Sequence, residues 1–446
     1  MSNEQEYIKI YREHKELINT PCAPLLNEAR ELAFEKFSAT GFPGAKEENW
    51  LHTPVAAKFA ADYGMNLGRV ASQATGHDIF ACDVPNLNTI QGYIVNDSFQ
   101  AADNNKHSLP GGVLFGSLNS FAKSHPTLLA PYYNKLAAEG DAIAQFNTTF
   151  VQDGILLYVP RNTQVNETIQ VVSLLLSKVD IMSNRRLLII LEEGAKASIL
   201  LCDHSSTDKS TLSTQVTEVF VGNGASLDIY ELEETGRSNT RLGHLFVQQA
   251  SDSRFNHSNI TLTNGFTRNY VHVALEGRGA DTNITGLAIG DKQQHIDNRT
   301  LVEHKVSNCN SNELYKYILD EESVGVFAGK MLIHSDAQQT TSQQTNRNLC
   351  LTSCARMFAQ PQLEIYADDV KCSHGSTVGQ LDENALFYMQ QRGIPIDEAR
   401  HLLMYAFAGE VIENINIDAL RDRLHLLVEK RFRGELNRCK NCALCK

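Results

Sequence analysis

Proline is almost absent from the middle of this chain, and its scarcity restricts the possible folds more than any other feature. Between residues 150 and 382 the only prolines are Pro160 and Pro361. Because proline cannot donate a hydrogen bond to a sheet, this long stretch favours continuous β-structure. The same stretch contains short apolar runs bounded by Gly, Asn, Asp or Ser. These runs predict strands at 154–159, 169–172, 187–191, 216–221, 227–230 and 259–262.

A weak repeat within this region suggests how the strands are arranged. A Gly-Ala turn followed by a strand with Ile five residues after the Gly occurs at 194–199, 224–229 and 279–284. The spacings between the glycines are 30 and 55 residues, so the period is not strict. A turn-and-strand unit that recurs every few tens of residues favours a β-solenoid, whose coils stack and bury their inward side chains. A large β-sandwich is the alternative.

Helical patterns flank the β-rich region. Apolar residues at helical spacing occur at 4–18 and 25–37, and again after residue 382. There, 383–392 predicts a helix that Gly393 ends. A second helix has an apolar face that consists of Ala399, Leu402, Leu403, Ala406, Phe407 and Val411. The predicted segments are 1–55 (helical), 56–149 (mixed and irregular), 150–381 (β core), 382–434 (helical) and 435–446 (a cysteine-rich tail).

Composition and the absence of common motifs exclude several classes of function. The formal net charge is -12, which disfavours a protein that binds nucleic acid through its general surface. No apolar run is long enough to predict a transmembrane helix, and the first residues do not resemble a signal peptide, so we expect a cytoplasmic protein without a membrane partner. No phosphate-binding glycine loop occurs, so we expect no nucleotide of its own.

Cys372 and His374 form the first of two candidate metal-binding groups. Residues two apart on a strand project from the same face, so a thiolate and an imidazole there could hold iron, zinc or copper. They could also form a Cys–His nucleophile pair, or be buried filler. Two ligands make an incomplete metal site, so the remaining ligands would have to come from elsewhere.

The second group is a Cys-x-x-Cys-x-x-Cys sequence at the end of the chain, formed by Cys439, Cys442 and Cys445. Three thiols at this spacing could bind an iron–sulfur cluster or a zinc ion. The fourth cysteine of a ferredoxin motif is missing, so the tail could equally be an appendage that is prone to oxidation.

Several longer motifs resemble the SufB/SufD family of iron–sulfur cluster assembly scaffolds. The resemblance runs from about residue 25 to 432, and the sequence from 372 to 394 is its most specific part. Within the family, Gly-Phe-Pro at 41–43 and Cys-Ser-His-Gly at 372–375 are most similar to the SufD branch. The motifs lie at 41–43, 48–50, 153–160, 372–379, 386–394, 399–400 and 406–411.

The resemblance implies a right-handed parallel β-helix between helical segments, and a scaffold subunit that is not an enzyme. It implies a SufB-like partner, with which His374 and, with weaker support, Cys372 would share a transient iron–sulfur cluster. It also implies that a SufC-like ATPase docks on the C-terminal helices. The residues that match this docking region are Leu386, Phe387, Arg392, Gly393, Ile394, Ala399, Arg400, Ala406, Phe407, Glu410 and Val411.

Two other functions and one other assembly stay open at this stage. The three-cysteine tail departs from the family pattern and suggests a metal or iron–sulfur carrier. A β-solenoid could also be a carbohydrate-active enzyme with a groove along its coils, although one tryptophan and no clear acid pair disfavour this. Without its partner, the chain could form a homodimer.

Overall fold

The computed structural model describes residues 3–69, 76, 84, 87–101, 108–205, 207 and 209–435. The protein is mainly β: a β-solenoid of about seven turns carries helical segments at its N-terminal and C-terminal sides. This confirms the predicted fold class. Strands cover five of the six predicted runs completely, and the sixth run, 154–159, is a strand except at Gly154.

The N-terminal part supplies helices and short strands that cover the start of the solenoid. Its helices are α1 (Asn3–Asn19), α2 (Pro24–Thr40), α3 (Leu118–Ser124), α4 (Pro126–Leu129) and α5 (Ala142–Phe150). Short 3₁₀ helices lie at Glu48–Trp50, Ala56–Ala60, Pro110–Gly112 and Ala137–Glu139. Its strands are β1 (Gly64–Met65), β2 (Thr89–Val95), β3 (Ser98–Ala101), β4 (Ser108–Leu109) and β5 (Val113–Ser117).

The solenoid consists of two sheets whose strands alternate along the chain. The first sheet contains β6 (Ile155–Val159), β8 (Ile181–Leu191), β10 (Thr211–Val221), β12 (Asn239–Gln249), β14 (Phe266–Leu275), β16 (His295–His304), β18 (Val324–Ile333), β20 (Arg356–Ala359) and β21 (Gln362–Ile365). The second contains β7 (Thr168–Leu175), β9 (Lys196–Ser205), β11 (Ser226–Glu234), β13 (Arg254–Thr263), β15 (Asp281–Gly290), β17 (Asn310–Leu319), β19 (Thr340–Cys350) and β22 (Val370–Gly379). Strands of successive coils pair in parallel.

A column of left-handed residues at one corner explains the irregular Gly-Ala repeat. Each member adopts a positive φ and donates its backbone N–H to the corresponding turn of the next coil. Asp252, with φ of 56°, occupies the coil between Gly224 and Gly279, so the spacing of 55 residues spans two coils. Asn and Asp tolerate this conformation better than other residues that have a Cβ atom. The column consists of Asn162, Gly194, Gly224, Asp252, Gly279, Asn308 and Gln339.

The interior of the solenoid combines an apolar cluster with a buried charged network. Aliphatic and aromatic side chains from both sheets form one continuous core along the coils. Beside them, Arg241 binds Asp203 (2.6 Å) and Glu231 (3.0 Å), and Arg185 also pairs with Asp203. Burial opposes ionisation of Asp203, but the two guanidinium groups outweigh it and lower the pKa of this carboxyl to about 2.

The Trp50 motif ties the N-terminal segment to the outer face of the first sheet. The Trp50 ring is buried, and the Arg268 guanidinium lies 3.6 Å from its centre. Arg268 also pairs with Asp297 (2.6 Å), which accepts a hydrogen bond from Thr53 (2.6 Å). This motif therefore has a structural role, because it joins the segment to strands β14 and β16.

The two ends of the solenoid differ in how their strands are covered. At the first end, β3 and β5 pair antiparallel with β2 and β6 and continue the sheets. At the last end, β22 pairs only with β19, and β20 and β21 pair only with β18, among the strands that the structure describes. The last coil therefore leaves both sheets with an open edge.

Three helices follow the last strand: α6 (Glu383–Gln391), α7 (Ile396–Ile412) and α8 (Asp418–Phe432). Helices α7 and α8 pack their apolar residues against the outer face of the second sheet. The predicted inner face of α7 was partly wrong, because Leu402 is 41% exposed and Ala406 is exposed. Met404 and Ala408 are buried instead, because the contact runs along a neighbouring stripe of the helix.

Candidate functional site

Cys372 and His374 lie on the final strand, β22, at the open end of the solenoid. Their partners in the adjacent strand β19 are Ser342 and Gln344, and both partners are buried. Along β19, alternate residues are buried and exposed, so the buried set faces the interior. Because parallel partners project from the same face of a sheet, Cys372 and His374 face the interior side at its open end.

The thiol of Cys372 is half-buried beside a small apolar cluster that includes Ile333 and Ala367. Burial raises the pKa of the Cys372 thiol, although a hydrogen bond from the Ser342 backbone opposes the rise. An activated nucleophile needs the reverse shift. The nucleophile alternative is therefore disfavoured, and metal binding by this sulfur would require the loss of its proton.

A polar column leads from the open end into the interior beneath His374. Glu313, Gln344 and His374 occupy matching positions in β17, β19 and β22. Gln344 Nε2 donates a hydrogen bond to Glu313 Oε2 at 2.6 Å. Burial raises the pKa of Glu313 to about 7, although the hydrogen bond from Gln344 opposes the rise. His374 itself is exposed.

A second polar column leads to Cys372. His304 Nε2 lies 2.8 Å from Ser311 Oγ, and Ser311 Oγ lies 2.7 Å from Ser342 Oγ. Ser342 of β19 lies opposite Cys372, which is one coil further along the chain. Both candidate ligands therefore stand above buried hydrogen-bonding side chains, where an apolar interior would be the usual arrangement.

The site is incomplete within the part of the chain that the structure describes. No group of three or more His, Cys, Asp and Glu side chains there is arranged to hold a metal ion. Cys372 and His374 supply one sulfur and one nitrogen, a donor set that suits iron, zinc or copper but leaves coordination positions unfilled. The tail cysteines Cys439, Cys442 and Cys445 lie outside the described residues.

Helix α6 stands apart from the other two C-terminal helices because none of its residues is buried. Asp382 caps its N-terminus by accepting hydrogen bonds from two backbone N–H groups. Gly393, with φ of 83°, allows the chain to turn after its end, as predicted. Phe387 and Tyr388 are 62% and 59% exposed, so this helix presents aromatic side chains on its surface.

The residues expected to bind a partner fall into two groups. One group is exposed or half-exposed, and only its members can meet a protein that approaches from outside. It comprises Leu386, Phe387, Arg392, Gly393, Ile394, Arg400, Ala406, Phe407 and Glu410. Ala399 and Val411 are fully buried. These two residues therefore hold α7 in place.

Glu410 also has an internal role that the sequence did not predict. It pairs with Lys316 of β17 and lies 3.4 Å from Arg347 of β19. The Lys316 side chain is buried, donates to the Phe407 carbonyl oxygen at 2.9 Å and lies over the Phe407 ring. Glu410 therefore links α7 to β19, which is the neighbour of the strand that carries His374.

Comparisons with known proteins identify the family. The profile of the SUF system FeS cluster assembly SufBD core domain matches residues 174–407, and that of the SufBD protein N-terminal region matches residues 1–171. The chain belongs to the SufBD family. Membership assigns it a role in Suf iron–sulfur cluster assembly. The family predicted from the sequence motifs is thereby confirmed.

Relatives from several bacteria are similar to this chain over most of their length. A SufBD family protein of Synechocystis sp. is 27% identical over 95% of this chain and 95% of its own length. The iron–sulfur cluster assembly protein SufD of Escherichia coli is 27% identical over 89% of this chain and 90% of its own length. That of Bacillus subtilis is 24% identical over 72% of this chain and 74% of its own length.

The polar columns of this SufBD-family chain were missed at the sequence level, although a signal for them exists. Every second residue from Ser342 to Asn348 is polar and buried. An inward face composed of Ser, Gln and Asn is unusual for a buried strand.

No helix in the described ranges is long and apolar enough to cross a membrane.

Proposed function

We propose that this chain is a non-catalytic scaffold subunit of the Suf complex. It pairs through its open solenoid end with a SufB-like chain. His374 joins ligands from that chain to hold a nascent iron–sulfur cluster, and Cys372 is the second, weaker candidate ligand. A SufC-like ATPase docks on the C-terminal helices. The observation that carries the proposal is the open end itself, where two unpaired sheet edges lie beside the incomplete ligand set.

The physics of strand edges supports a partner at this end. β22 is ten residues long and has one hydrogen-bonded neighbour among the described strands. A long edge offers a row of unpaired backbone groups, which a strand from another chain satisfies by continuing the sheet. Exposed Tyr366 and Val378 provide apolar area for such a contact. A second copy of this chain could occupy the same edge when the partner is absent.

The cluster is cargo that two subunits share in this proposal. Its assembly needs thiolate or imidazole ligands, and this chain brings two such groups to one interior face of β22. The other ligands come from the partner. Such an arrangement explains why the candidate site is both exposed and incomplete in the single chain.

The aromatic surface of α6 supports docking of the ATPase. Phe387 and Tyr388 project from a helix that has no buried residue, and Arg392 donates a hydrogen bond to the Tyr388 hydroxyl at 2.9 Å. Exposed aromatic and Arg side chains are typical of protein-binding hot spots. The Lys316–Glu410 pair would transmit force from the helices to the sheet.

The carbohydrate-active alternative finds little support in the surface grooves. A groove of about 570 Å³ along the first sheet is lined by Tyr132 and Phe220 and by the carboxylates Glu192, Glu193 and Glu276. Glu193 pairs with Arg161 at 2.8 Å. Glu192 and Glu276 are three coils apart, which corresponds to about 14 Å at the usual strand spacing. The catalytic carboxyls of glycosidases lie only about 5–9.5 Å apart.

The metal-carrier alternative depends on the tail and has its own test. Replacing Cys439, Cys442 and Cys445 by Ser removes every thiol of that motif. The scaffold proposal expects most cluster-assembly function to survive in this variant. The carrier alternative expects the bound metal and the activity to be lost together.

Anaerobic purification of the tagged chain from its native cells tests the proposal. We expect a SufB-like chain and a SufC-like ATPase to co-purify, and we expect Tyr366→Asp to weaken recovery of the first. Cluster formation on the complex should fall with His374→Ala and persist with His14→Ala, which removes an exposed histidine of α1. A chain that purifies alone, or a fully active His374→Ala complex, contradicts the proposal.

A further inference from the structure

One buried hydrogen-bond acceptor lies next to His374 and lacks a donor. The Gln344 side chain is 1% exposed, and its Nε2 atom is held by Glu313 Oε2 at 2.6 Å. This bond fixes the amide orientation and directs Oε1 away from Glu313. Gln344 Oε1 has no hydrogen-bond partner within the described part of the chain. A buried acceptor without a donor is destabilising, so such an atom calls for a partner.

His374 is the side chain whose position suits that partner. It stands opposite Gln344 in the adjacent strand and projects from the same face, about 4.8 Å away at the backbone. An imidazole always carries at least one N–H donor. No hydrogen bond of the His374 ring is among those of the described residues, so its donor is available.

We propose that Gln344 is the positioning residue for His374, and that its Oε1 accepts the ring N–H. Such a bond selects one neutral tautomer and one ring orientation, and it leaves the other ring nitrogen free for a ligand at the open end. Metal-binding histidines commonly donate their second N–H to an oxygen in this way. The use of the free nitrogen in cluster assembly rests on the function proposed above, whereas the hydrogen bond itself does not.

The Gln344→Met variant tests the hydrogen bond in the full chain. Met retains the length of the side chain and removes both polar atoms. Gln343→Met is the matched control, because Gln343 is the exposed neighbour on the other face of β19. Nitrogen NMR of ¹⁵N-histidine-labelled protein, with the His374 signals assigned from His374→Ala, reports the ring tautomer directly.

We expect His374 to show one neutral tautomer in the wild-type chain and in Gln343→Met, and a mixture in Gln344→Met. A double variant, Glu313→Gln with Gln344→Glu, exchanges the amide and the carboxyl, so it keeps both their mutual hydrogen bond and an oxygen for His374. It should restore the single tautomer even if Gln344→Met folds poorly. An unchanged tautomer in Gln344→Met, as expected if water satisfies Oε1, or a mixture in the double variant, overturns the inference.

Binding of Co²⁺ alone to the full chain, followed by its visible absorption, gives a second readout. Loss of the oxygen partner of a ligating histidine commonly weakens metal binding by about 10–100-fold, and we expect a loss in this range for Gln344→Met. Equal Co²⁺ affinity in the wild-type chain and His374→Ala would count against the proposed ligand role of His374. The tautomer measurement would still decide the role of Gln344.

Discussion

The buried carboxyl of Glu313 makes a specific prediction about how stability depends on pH. Burial raises its pKa to about 7 in the folded chain, compared with an ordinary value of 4.5. Between these two values the folded protein retains a proton that the unfolded chain has already released. The contribution of Glu313 to stability therefore falls as pH rises through this window and is constant above it.

The size of the effect follows from the two pKa values. The shift is 7 − 4.5 = 2.5, and each unit corresponds to about 1.36 kcal/mol. The wild-type chain should therefore lose about 3 kcal/mol of unfolding free energy between pH 4.5 and 8 relative to a chain without this carboxyl. Glu313→Gln is such a chain, and its amide oxygen still accepts the Gln344 hydrogen bond. Burial raises the pKa of the neighbouring Tyr315 well above its usual value, so the Tyr315 hydroxyl stays neutral over this whole pH range.

Urea unfolding, followed by circular dichroism at pH 5, 6, 7 and 8, measures the difference between the two chains. Other titrating groups are present in both chains and cancel in that difference. We expect Glu313→Gln to gain stability relative to wild type as pH rises. Glu322→Gln, which removes an exposed carboxyl before β18, is the matched control for the loss of one carboxyl at the surface. A flat difference for Glu313→Gln would refute the assignment of a protonated interior carboxyl.

Two further predictions concern stability and can be measured by denaturant unfolding. Gly279→Ala should cost roughly 1–3 kcal/mol, because φ is +74° and the new Cβ would overlap Asp252 Oδ1. Gly379→Ala meets no atom within 4 Å and should be nearly neutral. Glu410→Leu should cost on the order of 2 kcal/mol, because it leaves the buried Lys316 ammonium without a carboxylate. Lys316→Met should cost less, since Glu410 is half-exposed, and the reverse order would contradict this account.

The fold was largely predictable because its signals are local. Short strands and left-handed turns are specified by residues that are close in sequence, and glycine marks three members of the turn column. The turn of the coil between Gly224 and Gly279 could not be recognised from the Gly-Ala repeat, because Asp252 adopts the left-handed conformation there without being glycine. The buried face of α7 was predicted less well, because Leu402 and Met404 are similar in hydrophobicity and only the packing against the sheet selects between them.

The candidate site was predictable only in part, for a reason of distance along the chain. The spacing of Cys372 and His374 places both on one face of a strand, which needs only the two-residue period. Their buried neighbours Ser342 and Gln344 precede them by a whole coil. Coil lengths vary through the solenoid, so the alignment of successive coils requires the structure. The same holds for Lys316 and Glu410, which are joined across 94 positions.

The change in the interior from apolar to polar links the fold to the proposed assembly. The continuous apolar core includes Tyr317 and Leu319 of β17, but the inward face of β19 from Ser342 to Asn348 is polar. If the interior at this end of the solenoid had an apolar lining, the single chain would expose a large hydrophobic surface, which favours non-specific association. A polar lining reduces that hazard and leaves hydrogen-bonding groups beside His374. The open end is therefore suited to a partner that brings matching strands and polar or metal-bound groups, and poorly suited to one that brings only an apolar surface.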